Sequence, residues 1–276
     1  MAKLSISRAW EESQRILTHD GRLLASVALA LVAFPSMINT ILNPSGISAN
    51  TAPALQLVTI LISLMVLGGQ LALIRLALGP SITVGGAIGH GMRRLPIYAL
   101  VVLILGIGLF ALAILAGAVL MASGIPITSS GPNVQIPTNP TTIVIILAFL
   151  ATFAYFGVRL MLSLPVASAE PVGPISILRR SWLLTGGQWW PLFGFVVVFG
   201  IGAVLLLMAV ASVAGLVLRL TLGALQPMSL SMLIFALIES LVSAAITLLL
   251  SVMLARIYAQ LARADAAQSG VPKSGI

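Results

Sequence analysis

The chain has 276 residues, of which 59% are hydrophobic and only 7% are charged. A soluble domain carries about 25% charged residues, so this chain has too few polar side chains to cover a water-soluble fold, and lipid is the expected solvent for most of its surface. The absence of cysteine excludes disulfides and cysteine-based metal sites, and we expect no cofactor. The net charge of +8 predicts contact with anionic lipid and no binding of nucleic acid, because basic residues in so apolar a chain typically face the cytoplasmic leaflet.

The first 22 residues are the most charged part of the sequence. Their apolar residues fall roughly on one face of a helix: Leu4, Ile6, Ala9, Trp10, Ile16 and Leu17. This pattern predicts an amphipathic helix lying in the membrane interface, with Trp10 at the level of the headgroups. The alternative is a cytosolic tail that makes no membrane contact.

Six apolar runs follow, each long enough to cross the hydrocarbon core, which takes about 20 residues. They are Leu23–Leu42, Pro53–Leu78, Pro96–Ala122, Thr141–Leu164, Pro191–Leu220 and Ser229–Tyr258. The prolines near the starts of the second, third and fifth runs suit a first helical turn, where no backbone donor is lost. The fold class is therefore an all-α integral membrane protein with six transmembrane helices.

The basic residues predict the orientation of these spans. All Lys and Arg residues except Arg219 fall on one side, whereas the three connectors on the other side are uncharged: Asn43–Ala52, Ser123–Pro140 and Thr221–Met228. The positive-inside rule then predicts that both termini lie in the cytoplasm. We expect residues 263–276 to form a flexible tail.

Two 30-residue stretches have similar landmarks. Residues 79–108 and 173–202 both begin Gly-Pro and end Gly-Ile-Gly, and the even-numbered spans end near Arg75, Arg159 and Arg256. We interpret the chain as one membrane domain, 1–276, built from three repeats of an interfacial amphipathic helix plus a helical hairpin. Their bounds are 1–78, 79–172 and 173–276. The alternative is that short matches arise freely, because these residue types are common in membrane helices.

The connector between the fourth and fifth spans carries a set of landmarks: Leu164-Pro165, Glu170, Gly173-Pro174, Arg179-Arg180-Ser181-Trp182-Leu183-Leu184-Thr185 and Trp189. This run resembles the signature of a bacterial six-span family related to the membrane domain of glycerophosphoryl diester phosphodiesterases, whose function is largely undefined. The resemblance implies a six-span membrane fold in the cytoplasmic (inner) membrane of a bacterium. Family members that hydrolyse phosphodiesters do so with a fused catalytic barrel, which this sequence does not contain, so the resemblance does not imply enzyme activity.

Glu239 is the one acidic residue inside a predicted span. An ionisable group at that depth is costly and is a functional hypothesis by default. It begins a stripe of polar residues with Ser243 and Thr247, and the second span carries a similar stripe that ends at Gln70. These residues form a candidate intramembrane polar site, in which Glu239 pairs with Arg219 or lines a cavity. The alternative is that small polar residues pack the helices together.

The basic and aromatic residues at the inner ends of the spans are candidate contacts for lipid headgroups: Arg75, Arg159, Arg179, Arg180, Trp182 and Arg256. The alternative is that they determine topology and nothing more. We interpret His90 as a solvated loop histidine; the alternative is that His90, with Arg93 and Arg94, senses pH or binds phosphate. No nucleophile and base are placed to form a catalytic pair.

These observations predict a non-enzymatic, multi-pass inner-membrane protein that engages lipids or amphiphiles at the cytoplasmic leaflet, with a role in envelope homeostasis. The expected partners are membrane lipids with anionic headgroups, together with another membrane protein or a second copy of the chain. The alternative functions are a transporter of small solutes or lipids around Glu239, and an accessory subunit of another membrane protein.

Overall fold

A computed structural model of the protein describes residues 5–43, 52–79, 83–122, 128–130, 133–135, 139–224, 226 and 229–269. In these ranges the regular secondary structure is helical apart from one short antiparallel pair of strands. Six helical segments are long and apolar enough to cross a membrane. The predicted class, an all-α protein with six transmembrane helices, is confirmed, whereas the three-unit repeat stays a prediction.

The elements have the following bounds: α1 Ile6–His19, α2 Gly21–Ala28, a π-helical segment Leu29–Ala33, α3 Phe34–Leu42, α4 Pro53–Ala77, α5 Val84–Ala122, β1 Thr128–Ser130, β2 Asn133–Gln135, α6 Pro140–Leu160, α7 Ser163–Ala169, α8 Pro174–Leu184, α9 Trp189–Leu222 and α10 Leu230–Ser269. The first span comprises α2, the π-helical segment and α3, and the fourth comprises α6 and α7. Strands β1 and β2 pair antiparallel, with Ser129 opposite Val134. Most of the three predicted uncharged connectors lies outside the described residues.

Helices α5 and α10 are longer than the sequence predicted. They contain 39 and 40 residues. At 1.5 Å per residue each is roughly 60 Å long, about twice the thickness of the hydrocarbon core, so each projects beyond the membrane. The prediction of a flexible tail over residues 263–276 was wrong for residues 263–269, which belong to α10; residues 270–276 lie outside the described residues.

The position of Pro96 corrects the predicted start of the third span. We expected Pro96 in the first turn of a helix, but it lies inside α5, twelve residues after Val84. Transmembrane helices tolerate an interior proline where neighbouring elements hold the helix in place. Here the preceding segment packs on α4 and α7, so the interfacial helix expected before this span is continuous with it.

A π-helical segment in the first span brings that span close to α4. Pro35 lacks the N–H that would bind the carbonyl of Leu31 in a regular helix, and the backbone widens so that the N–H of Phe34 donates to the carbonyl of Leu29. A Cβ built on Gly69 of α4 would lie 2.7 Å from Cβ of Leu31. The close approach of the two helices therefore requires glycine at position 69.

The best-buried side chains are concentrated towards one end of the bundle. The largest fully buried apolar residues in the described chain include Leu71, Leu73, Ile74, Leu162, Ile177, Met253 and Ile257. By contrast, only 6% of the most apolar window is buried in each of the spans formed by α5, α6–α7 and α9. Those three spans present most of their side chains to lipid.

Both ends of the described chain meet at this well-packed end. The side-chain amide of Gln260 in α10 lies within hydrogen-bond distance of the backbone of Ser5 and Ala9 at the start of α1. Ala9 is buried and Ile6, Ile16 and Leu17 pack against the core, so α1 is amphipathic as predicted; Trp10, which was predicted on the same face, is 42% exposed. We call this end the charged end; it comprises residues 5–22, 71–79, 84–96, 155–160, 163–193 and 252–269.

Candidate functional site at the charged end

Hydrogen bonds between distant segments assemble the charged end. His90 Nε2 donates to the carbonyl of Ser168 over 2.8 Å, and Ser168 Oγ donates to the carbonyl of Leu71 over 3.0 Å. These bonds join α5, α7 and α4. The guanidinium of Arg256 donates to the carbonyl of Ala77, which ties α10 to the C-terminal end of α4. His90 is therefore a structural donor on a helix, and its interpretation as a solvated loop residue was wrong.

A second set of contacts clamps α8 to α10. Arg180 Nε lies 3.2 Å from Glu170 Oε1, and Arg180 Nη1 lies 2.8 Å from Asp265 Oδ2. Tyr258 Oη donates to the same Glu170 oxygen over 2.8 Å. Burial lowers the pKa of the Arg180 guanidinium, but its hydrogen bonds to Asp265 and Glu170 raise the pKa by more, so it lies above its ordinary value. Arg180, a candidate headgroup contact, thus has its charge compensated within the protein.

Arg159 lies in a different environment, among aromatic rings. Its guanidinium carbon is 5.4 Å from the centroid of Tyr155 and 5.0 Å from that of Trp182, distances that favour cation–π attraction. Its hydrogen bonds to the Trp182 carbonyl and to Tyr155 Oη are long, at 3.4 and 3.3 Å. Its Nε is buried and has no hydrogen-bond partner among the described residues. No carboxylate in the described chain pairs with Arg159.

The backbone around Arg159 is held by α8 and by the start of α9. Ser181 Oγ donates to the carbonyl of Arg159 over 2.9 Å, and Thr185 Oγ1 lies 3.2 Å from the same oxygen. Trp189 stacks on Phe193 with centroids 4.8 Å apart and planes 9° apart, and it also lies 6.1 Å from the ring of Tyr155. Tryptophan in such a position is typical of the membrane interface. The sequence motif around Trp182 therefore builds one aromatic cluster with Arg159 inside it.

Three further arginines extend the basic surface. Arg93 and Arg179 are exposed and Arg94 is half-buried, and none of them makes an ion pair or side-chain hydrogen bond with another described residue. Over the described residues the charged end holds eleven arginines and five carboxylates, a net charge of +6. Arg75 and Arg256 also lie there, half-buried, each with an Nε that has no partner in the described chain. This end is therefore strongly electropositive.

The candidate intramembrane site is arranged differently from its predicted form. Glu239, Ser243 and Thr247 are half-buried on α10, Gln70 is half-buried on α4, and Arg219 is exposed on α9. No ion pair joins Glu239 to Arg219 in the part of the chain described here. Arg219 lies three residues from the end of α9 and Glu239 nine residues from the start of α10. At helical rise, their depths differ by roughly 9 Å, which explains why they do not meet.

Two cavities occur in the described chain near these helices. One of 490 Å³ lies between α5, α6, α9 and α10, and its lining includes Tyr98, Gly157 and Phe199. The other, of 340 Å³, lies beside Arg219 and Phe235 at the opposite end of α9. Neither is lined by Glu239, Ser243 or Thr247. The larger cavity is apolar and was not predicted from the sequence.

Sequence reasoning missed the partners of residues that it had singled out. Glu170 and Arg180 lie in the motif, but Tyr258 and Asp265 are 78 and 85 residues beyond Arg180. No local spacing indicates that they converge. The glycines at positions 157 and 200 lay within apolar runs, where glycine is frequent, so nothing in the sequence marked them as lining a cavity.

The chain matches the family described as domain of unknown function DUF7847 over residues 4–261, and it belongs to that family. No curated protein and no solved structure matches the chain. The family match assigns no activity, so functional argument rests on the site itself.

Proposed function

We propose that the protein is a non-enzymatic, multi-pass protein of the bacterial cytoplasmic membrane that binds anionic lipids or amphiphiles through its charged end and acts in envelope homeostasis. The carrying observation is the set of arginines without a counter-ion in the described chain, Arg93, Arg94 and Arg179, at the same end of the bundle as the tryptophans that begin α9. Basic residues near the cytoplasmic leaflet gain about 1 kcal/mol each from anionic lipid. The charged end then faces the cytoplasm, with both termini on that side.

Arg180 is left out of the proposed contact set, because Glu170 and Asp265 already compensate its charge. Arg75, Arg159, Trp182 and Arg256 remain in the set. The resemblance to the membrane domain of glycerophosphoryl diester phosphodiesterases stays a prediction. This resemblance supports the proposal because that family and the proposed function both involve membranes and phosphate-bearing lipids.

Native mass spectrometry of the purified protein tests this proposal. We expect the wild type to retain more phosphatidylglycerol than phosphatidylcholine, and the triple variant Arg93→Gln/Arg94→Gln/Arg179→Gln to retain less phosphatidylglycerol. Removing three contacts of about 1 kcal/mol each lowers the overall affinity by about a hundredfold and weakens its dependence on salt. Arg219→Gln is the matched control, because it removes one positive charge at the opposite end and leaves the charged end intact. Equal retention by the wild type and the triple variant would contradict the proposal.

A transporter of small solutes or lipids is the second candidate. It is favoured by Glu239, a half-buried carboxyl group inside a span with no ion-pair or hydrogen-bond partner in the described chain. Intramembrane ionisable residues commonly mark substrate or proton paths. Proton-linked uptake into proteoliposomes that disappears in Glu239→Gln but persists in Ser243→Ala supports this candidate. Uptake that is unchanged in Glu239→Gln rules Glu239 out as its proton carrier.

An accessory role towards another membrane protein is the third candidate, and homo-oligomerisation is compatible with all three. The spans formed by α5, α6–α7 and α9 bury only 6% of their most apolar windows, so they leave apolar surface for either contact. Co-purification from native membranes distinguishes a stable partner from the lipids alone.

A further inference from the structure

The apolar cleft of 490 Å³ opens towards the lipid-facing surface of the bundle. Three of its lining residues, Phe153, Phe156 and Val196, are 48%, 43% and 40% exposed. Two residues in the cleft lining carry hydroxyl side chains, Tyr98 and Ser163, and their oxygens lie 3.5 Å apart. Its volume falls within the usual range of small-molecule sites, about 300–1,000 Å³. Its lining and its lateral opening suit a hydrocarbon chain that enters from the bilayer.

Two glycines give the cleft its width. Gly157 on α6 and Gly200 on α9 both line it, and a Cβ built on either would meet no atom within 4 Å. Neither glycine is required for close helix packing, in contrast to Gly69. A larger side chain at either position therefore enters open space in or beside the cleft without a clash at its first atom.

The cleft adjoins the aromatic cluster that holds Arg159. Phe156 lines the cleft, and its ring centroid lies 5.8 Å from that of Trp182. Arg159 is three residues further along α6, on the neighbouring side of the same helix and nearer its C-terminal end. Its guanidinium lies over Trp182 and makes two long hydrogen bonds, although the group has five donors. A cation with no carboxylate partner in the described chain thus lies next to one end of an apolar cleft.

We propose that the cleft holds one acyl chain of an anionic glycerophospholipid and that Arg159 pairs with the phosphate of its headgroup. The inference rests on the proposed function and names a specific lipid site within it. An apolar partner helix or a second copy of the chain would fill the cleft but leave the Arg159 charge uncompensated. An anionic phospholipid satisfies both the cleft and the charge, since arginine binds phosphate through several donors at once.

Native mass spectrometry on delipidated protein, titrated with phosphatidylglycerol or phosphatidylcholine, tests the site. The wild type is expected to bind one phosphatidylglycerol more tightly than all others. Gly157→Leu and Gly200→Leu are each expected to lose that one lipid and keep the weaker ones. Gly202→Leu is the matched control: Gly202 is also an open position on α9 but does not line the cleft, so this variant keeps the tight lipid.

The charge is tested separately from the cleft. In Arg159→Gln, the preference for phosphatidylglycerol over phosphatidylcholine is expected to be about fivefold lower than in the wild type. This factor corresponds to about 1 kcal/mol, the contribution of one basic residue. Arg159→Lys keeps the charge and retains most of the preference. A thermal shift gives a second readout, because a bound lipid raises the Tm of the wild type and of Gly202→Leu but not of Gly157→Leu.

The two proposals fail in different ways. The proposed lipid site is overturned if both cleft variants bind phosphatidylglycerol as tightly as the wild type. It is also overturned if a second copy of the chain, and not a lipid, occupies the cleft of the wild type. The wider proposal fails when Arg93→Gln/Arg94→Gln/Arg179→Gln retains as much anionic lipid as the wild type. Loss of the tight lipid in Gly157→Leu, with the triple variant unaffected, supports the cleft and contradicts the wider basic surface.

Discussion

Arg179 and Arg180 are adjacent in sequence and have different physical roles. Arg180 faces α10 and pairs with Glu170 and Asp265, whereas Arg179 is exposed and makes no ion pair with another described residue. The pKa of Arg180 is raised in the folded protein, so its contribution to stability is fully present below its unfolded pKa and is lost only as the pH rises through the folded value. At neutral pH we therefore expect the clamp between α8 and α10 to be intact.

We predict that Arg180→Ala destabilises the protein and that Arg179→Ala does not. The ion pairs of Arg180 are partly exposed, so solvent screens them, and we expect a loss of about 1 kcal/mol from the free energy of unfolding. Thermal unfolding in detergent, followed by circular dichroism, measures the difference. Equal stability of the two variants would show that the clamp contributes nothing measurable.

Single-residue predictions from the sequence depended on whether the partners lay nearby in the chain. The concentration of arginine and tryptophan near Arg180 and Trp182 indicated an interfacial cluster, and the structure brings Arg159 and Trp182 together. The partners Tyr258 and Asp265 were not predictable, because only the packing of α8 against α10 brings them there. Glu239 and Arg219 do not pair because they lie at different depths in the membrane. Those depths depend on where α9 ends and where α10 begins.

Helix α5 shows how packing sets the limits of an element. Hydropathy alone predicted a helix from Pro96, because a glycine-rich segment with two arginines precedes it. In the structure that segment is helical and packs closely on α4: a Cβ built on Gly91 would lie 2.6 Å from the carbonyl oxygen of Gly68. The apolar core of each span could be predicted from composition, but the extension of α5 could not, because it depends on tertiary contacts.

We predict that Gly91→Leu destabilises the protein while Gly89→Leu does not. Position 91 has no space for a side chain, so overpacking forces α4 and α5 apart at a cost of about 1–3 kcal/mol or more. Position 89 lies two residues earlier on the same helix and has open space around its Cβ, so the substitution there gains helix propensity without a clash. The Tm of each purified variant checks this. A lower Tm for Gly89→Leu than for Gly91→Leu would contradict the observed helix contact.

The whole molecule is polarised along the membrane normal. Of the described charged residues, only Arg219 and Glu239 lie outside the charged end, which has a net charge of +6 and contains both ends of the described chain. The sequence predicted this separation of charge, because the connectors between the six apolar runs are alternately basic and uncharged. The positive-inside rule converts the polarity into a prediction that the charged end faces the cytoplasm. Both lipid proposals depend on that orientation, since the cytoplasmic leaflet is rich in anionic lipid.

Single-cysteine labelling in intact cells tests the orientation most directly, because the chain contains no cysteine of its own. Ser176→Cys places a thiol on the exposed surface of α8 at the charged end, and Ala224→Cys places one on an exposed position after α9 at the opposite end. With a maleimide that does not cross membranes, we predict that Ala224→Cys is labelled in cells whose inner membrane is intact. Ser176→Cys should be labelled only after that membrane is permeabilised. Labelling of Ser176→Cys in intact cells, with Ala224→Cys protected, would contradict the cytoplasmic placement of the charged end.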